Sequence, residues 1–145
     1  MRNKAIFTAI WLLAPLAAFA QPAKPAPLAV SDAWIRLLPG NSAGYFTLRN
    51  NGTAKVQLTG ADTPACGMLM LHKSEEKGGM SSMQDVQSVD VPAGGSVSFS
   101  PGSYHLMCMD AKPSLKLGAS VPVTFSFKGA PPLTARFDVR SATGK

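Results

Sequence analysis

Near the C-terminus, apolar residues recur at every second position. Val123, Phe125 and Phe127 are followed by Leu133, Ala135, Phe137 and Val139, with mostly polar residues between them. A period of two puts alternate side chains on opposite faces of an extended chain, so both segments read as half-buried strands. Shorter runs of the same kind cover Val30–Leu37, Ala43–Asn50, Val56–Gly60, Met68–His72, Val86–Val91, Val97–Ser100 and Tyr104–Met109. Turn formers separate them: Pro39-Gly40, Asn51-Gly52, Pro92 to Gly95, Pro101-Gly102 and Gly129 to Pro132. The chain carries 13 glycines and 12 prolines, which favours turns over long helices. No amphipathic helix and no internal repeat stands out. Many short strands at this spacing predict an all-β, antiparallel β-sandwich of Greek-key type. Apolar residues at 46% and charged residues at only 15% exclude a disordered tail or a coiled coil.

The first residues read differently. Arg2 and Lys4 precede an apolar run, Ala5 to Ala20, that ends in Ala18-Phe19-Ala20. A basic start, a short apolar stretch and a small-x-small exit form a cleaved secretory signal over 1–20. The run falls short of the roughly 20 residues of a spanning helix, and Pro15 interrupts it. No cysteine follows it directly, so a lipid anchor is not suggested. A Pro/Ala-rich leader over 21–27, a β-sandwich domain over 28–140 and a tail over 141–145 complete the expected organisation. The expected compartment is the periplasm, with no membrane anchor after cleavage. The formal charge of +6 includes Arg2 and Lys4, and the rest is scattered. Nucleic acid, which wants a clustered basic patch, is not an expected partner.

Every methionine except Met1 lies between Met68 and Met109, and both histidines lie there too. His72, Met83, His105 and Met107 form the set with chemical meaning. Thioether sulfur is soft and imidazole borderline, so two of each suit Cu(I). Mg²⁺ and Ca²⁺ would want carboxylates, which are sparse here. Thioethers also bind without losing a proton and form no disulfides, an advantage in an oxidising space. His105 and Met107 are two apart and share one face of a strand. Met68, Met70 and Met109 read as packing, since strand methionines usually fill a core, and Met80 as part of a loop. Catalysis finds little support. A Ser-His-Asp arrangement would need one of the two histidines, Glu75-Glu76 reads as a solvated loop pair, and no phosphate-binding loop is present. The chain is not expected to be an enzyme.

The spacing His72, ten residues, Met83, twenty-one residues, His105-Leu106-Met107 resembles the ligand signature of the periplasmic PCu(A)C copper chaperones. Pro101-Gly-Ser-Tyr-His-Leu-Met107 resembles that family's stretch ahead of its last two ligands. Ala33-Trp-Ile-Arg36 and Ala43-Gly-Tyr-Phe46 resemble its N-terminal strands. The resemblance runs from about Leu28 to Gly129. It implies a cupredoxin-like β-sandwich with His72, Met83, His105 and Met107 as ligands. The implied function is capture of Cu(I) and its delivery by ligand exchange to copper enzymes, chiefly the CuA site of cytochrome c oxidase. The implied partners are an oxidase subunit or its assembly factors. Ser103 departs from the family's second glycine. No His/Met-rich tail follows the domain, so a second Cu(II) site of the kind some relatives carry is not expected. The alternatives are an electron-transfer cupredoxin and a periplasmic copper-buffering protein. Blue-copper chemistry would need a cysteine thiolate beside two histidines, and Cys108 has the wrong parity. Nothing in the pattern calls for an obligate oligomer, so a monomer is expected.

Three roles are open to Cys66 and Cys108. As ligands they fit poorly: Cys108 points away from His105, and Cys66 lies six residues from His72, roughly 20 Å along a strand. As a redox pair they lack Cys-x-x-Cys spacing. A structural disulfide is the preferred reading, because export makes oxidation available.

Overall fold

The computed structural model describes residues 27–145. The signal expected over 1–20, and all of the leader except Pro27, lie outside them. Ten strands follow in chain order: β1 Leu28–Arg36, β2 Ser42–Asn50, β3 Val56–Asp62, β4 Cys66–Lys77, β5 Met80–Asp85, β6 Val89–Val91, β7 Ser96–Phe99, β8 Tyr104–Ala111, β9 Ser120–Lys128 and β10 Leu133–Arg140. The all-β expectation holds. Among the described residues no helix is long and apolar enough to cross a membrane.

The strands form one ladder in the order β5-β4-β8-β2-β1-β10-β9-β3-β6, with β7 on β2. All pairings are antiparallel except β1 with β10, where Trp34 to Arg36 run parallel to Asp138 to Arg140. That parallel seam joins the two halves of the sandwich. The ladder then folds over on itself. Phe46 of β2 meets Phe125 of β9 at 4.7 Å and Phe137 of β10 at 5.9 Å between ring centroids, although these strands are not hydrogen-bonded neighbours. The core is what the period-two pattern marks: Ile35, Phe46, Leu48, Leu58, Leu106, Val123, Phe125 and Phe137 are all buried. Aromatic rings at these offsets add contact energy beyond simple area burial.

The element absent from the sequence expectation is β5. Residues Glu75 to Met80 form not a loop but a hairpin whose two central residues, Gly78 and Gly79, take φ of 58° and 78°. Positive φ at both positions is the turn whose twist matches that of the flanking strands, and Gly-Gly supplies it without strain. Every residue of β5 is exposed. With no buried face there is no apolar alternation to read.

One buried polar residue ties three elements together at the far end. Asn50 donates through Nδ2 to the carbonyls of Ala54 (2.8 Å) and Val91 (3.2 Å) and accepts from the Gly52 amide at 2.9 Å. Asn50→Ala removes all three bonds and leaves the buried Val91 carbonyl without its side-chain partner. The expected loss is about 1–3 kcal/mol, read as a midpoint lowered by roughly 4–10 °C in thermal unfolding.

Candidate metal centre

The site begins with a turn. Ser103 donates its amide to the Ser100 carbonyl at 3.0 Å, and Gly102 at the third position has φ of 82°. Proline second and a left-handed glycine third make a type II turn. Gly102 alone carries the positive φ, so Ser103 is accommodated without strain. The turn delivers the chain into β8, whose alternation sends Leu106 and Cys108 into the core and His105, Met107 and Met109 to the other face.

Pairing between β4 and β8 sets the rest. His72 lies directly across from His105, and Met70 across from Met107. The two imidazoles meet edge to face at 5.6 Å between ring centroids. On the other side of β4, the hairpin places Asp85 opposite His72 and Met83 opposite Ser74. His72, Met83, His105 and Met107 therefore share one face across three adjacent strands. Met83, His105 and Met107 line one open recess of about 230 Å³, and His72 adjoins it through the His105 ring.

The hydrogen bonding suits metal capture. His105 Nδ1 lies 3.2 Å from the Ser103 carbonyl oxygen. An oxygen there can only accept, so the ring proton sits on Nδ1 and the lone pair on Nε2. Burial holds the His105 pKa below the ordinary histidine value; His72 pushes the same way and the Ser103 carbonyl opposes. The imidazole is thus neutral at neutral pH, the form that ligates. His105 Nε2 and His72 Nδ1 are buried without a hydrogen-bond partner, while Asp85 Oδ1 lies 2.8 Å from His72 Nε2. Two orphaned ring nitrogens in one spot are uncommon in a folded protein and point to a missing partner. Among the described residues no three His, Cys, Asp or Glu side chains converge on a metal position. An ion held here must therefore draw on methionine sulfur. Met83 is 62% exposed on the edge strand β5, where its thioether is accessible.

Cys66 and Cys108 are bonded to each other, with Cα atoms 5.6 Å apart, and both are buried away from the recess. Three sequence expectations need correction. Met68 and Met109 are not core packing: they are 54% and 38% exposed on the same face as the histidines. Met70, expected in the same class, is half-buried on that face. Met80 belongs to β5, not to a loop. Tyr104 stacks on Phe99 at 5.4 Å, on the opposite side of β8 from His105. The sequence reading also missed residues that line the recess, notably Arg36, Asn41 and Tyr45. No local sequence signal placed them there, since their position follows from the pairing of Ala43 with Met107.

Comparison with known proteins agrees with this geometry. The family described as "LpqE-like: Putative lipoprotein LpqE-like" matches residues 28–139. The chain belongs to the LpqE-like family. A relative, "Putative lipoprotein Lxx21020" of Leifsonia xyli subsp. xyli (strain CTCB07), is 33% identical over 100 residues, which span 68% of this chain and 60% of that protein. A second, "Uncharacterized protein RP573" of Rickettsia prowazekii, is 34% identical over 88 residues, spanning 60% of this chain and 49% of that one. The chain thus matches about half to three-fifths of the length of these relatives. The solution structure of CuI-DR1885 from Deinococcus radiodurans is similar with a TM-score of 0.65 and 30% identity, covering 81% of each chain. The copper-bound PCuAC domain from PmoF2 shares the fold at a TM-score of 0.67 and 16% identity, covering 80% of this chain and 94% of that one. The resemblance to PCu(A)C proteins and the cupredoxin-like fold it implied are borne out.

Proposed function

We propose that this chain is an exported carrier of Cu(I), held by His72, Met83, His105 and Met107. The observation that carries the reading is the cross-strand pair His72–His105, in which His72 Nδ1 and His105 Nε2 are buried without partners beside two thioethers on the same face. Two nitrogens and two neutral sulfurs match the softness of Cu(I) and add no charge to the ion. The 30% identical structure titled CuI-DR1885 supports the same cargo, and the relative named a lipoprotein supports export. Release follows from the placement of Met83. An exposed thioether on an edge strand can leave the ion first, opening a coordination position to an acceptor's ligand. Transfer then proceeds by ligand exchange without an aquated copper intermediate. The acceptor chemistry that fits is a thiolate and imidazole site such as CuA of cytochrome c oxidase, reached directly or through its assembly factors.

The test is a competitive Cu(I) titration with copper K-edge X-ray absorption on the loaded protein. One tightly held ion with mixed nitrogen and sulfur scattering is expected; absence of stoichiometric binding overturns the proposal. Met83→Leu keeps the size of the side chain and removes the sulfur. It should weaken Cu(I) binding by more than about 10-fold, since loss even of a group that only orients a ligand costs about 10–100-fold, while the unfolding midpoint stays put because the residue is exposed. Delivery is checked by mixing the loaded chain with an apo CuA domain and measuring copper on each after separation.

A further inference from the structure

The face that carries His72 and His105 continues beyond Met107. Met70 lies across from Met107, and two positions further Met68 lies across from Met109. Residues directly opposite on antiparallel strands have Cβ atoms about 4.5–5.5 Å apart. Flexible thioether side chains on such a pair can bring both sulfurs to one ion. Successive rungs on one face are separated by two residues, about 7 Å along the strand. The result is a line of three soft pairs, ending in the two histidines.

Packing does not explain this line. Met68 and Met109 are more than a third exposed, while the core face of the same strands is already filled by Leu69, Leu71, Leu106 and Cys108. The far end is firmly built. The Cys66–Cys108 disulfide crosses the same two strands, and Gly67 leaves the space that the Asp110 side chain occupies, since a Cβ there would meet Asp110 Oδ2 at 2.5 Å. That carboxylate is in turn paired with Lys112 Nζ. Charge is therefore compensated beside the pair, and the available donors are neutral sulfurs, which select a soft monovalent cation over a hard divalent one.

We propose that Met68, Met70 and Met109, with Met107 shared, form a second and weaker site for Cu(I) or Ag(I). Ions reach or leave the histidine site by stepping between thioether pairs. The relay role rests on the copper-carrying reading above; the site itself rests only on the methionine ladder. Met68 and Met109 are exposed while His105 is buried, so this outer site exchanges faster than the inner one.

The experiment is a titration of the intact chain, labelled with ¹³C at the methionine methyls, with Ag(I) as a redox-inert stand-in for Cu(I). Early additions should shift Met83 and Met107, and later additions Met68, Met70 and Met109. Met68→Leu with Met109→Leu should remove the later equivalent and leave the first unchanged. His72→Ala with His105→Ala should abolish tight binding yet keep the shifts of Met68 and Met109. Methyls of Met68 and Met109 that stay unmoved in excess Ag(I), while Met83 and Met107 respond, overturn the second site and leave the carrier reading standing. Shifts at Met68 and Met109 with none at Met83 support the second site and count against the histidine-site ligand set.

Discussion

His105→Ala is expected to weaken Cu(I) binding by at least about 100-fold. Loss of groups that merely orient a ligand costs about 10–100-fold in metal affinity, and a ligand itself should exceed that range. His105 is chosen because its geometry is the most fully determined of the four. Ser103 holds the Nδ1 proton, Nε2 faces no protein partner, and the ring is 4% exposed. The same burial means the truncation leaves a small void, so thermal unfolding must accompany the titration. A variant that still unfolds cooperatively but no longer competes for Cu(I) isolates the ligand role. Retention of wild-type affinity by a folded His105→Ala would remove the nitrogen ligand on which the site is built, and with it the proposed function.

The largest stability effect is expected from Cys66→Ala with Cys108→Ala. The bond closes a loop with a sequence separation of 42. In the chain-entropy account, a crosslink over such a loop stabilises the fold by about 4 kcal/mol through restriction of the unfolded state. For a domain of this size that corresponds to a midpoint lowered by about 10–20 °C. Because the β4–β8 ladder from Met68 to Lys73 is held by its own backbone hydrogen bonds, the double variant should keep its Cu(I) affinity well below the new midpoint. A change of only a few degrees would mean that strand pairing alone constrains this loop in the unfolded chain. Alanine is used in place of reduction, since free thiols would themselves bind Cu(I).

The legible and illegible parts of this chain divide along physical lines. Strands with one buried face were readable because burial imposes alternation, as in β9 and β10. Strand β5 was not, because all six of its residues are exposed and its evidence lay in Gly78-Gly79 instead. The methionines of β4 were misplaced for a related reason. Leu69 and Leu71 alternate with Met68 and Met70, so both faces carry apolar side chains and the pattern does not say which face turns inward.

The sequence by itself determined the donor chemistry: two thioethers and two imidazoles in a segment poor in carboxylates, with His105 and Met107 on one face because strand geometry leaves no other choice. The turn at Pro101-Gly102 and the available partners for a disulfide were equally local facts. Only the tertiary structure decided that His72 stands opposite His105, that Met83 arrives two residues away along a hairpin, and that Met68 and Met109 face outward beside them. The β4–β8 pairings depend on register between segments more than thirty residues apart, and Met83 joins them through the β4–β5 hairpin. A slip of one residue would send every one of these side chains to the other face of the sheet. Register is set by the burial of the whole core at once, which no local stretch of sequence contains.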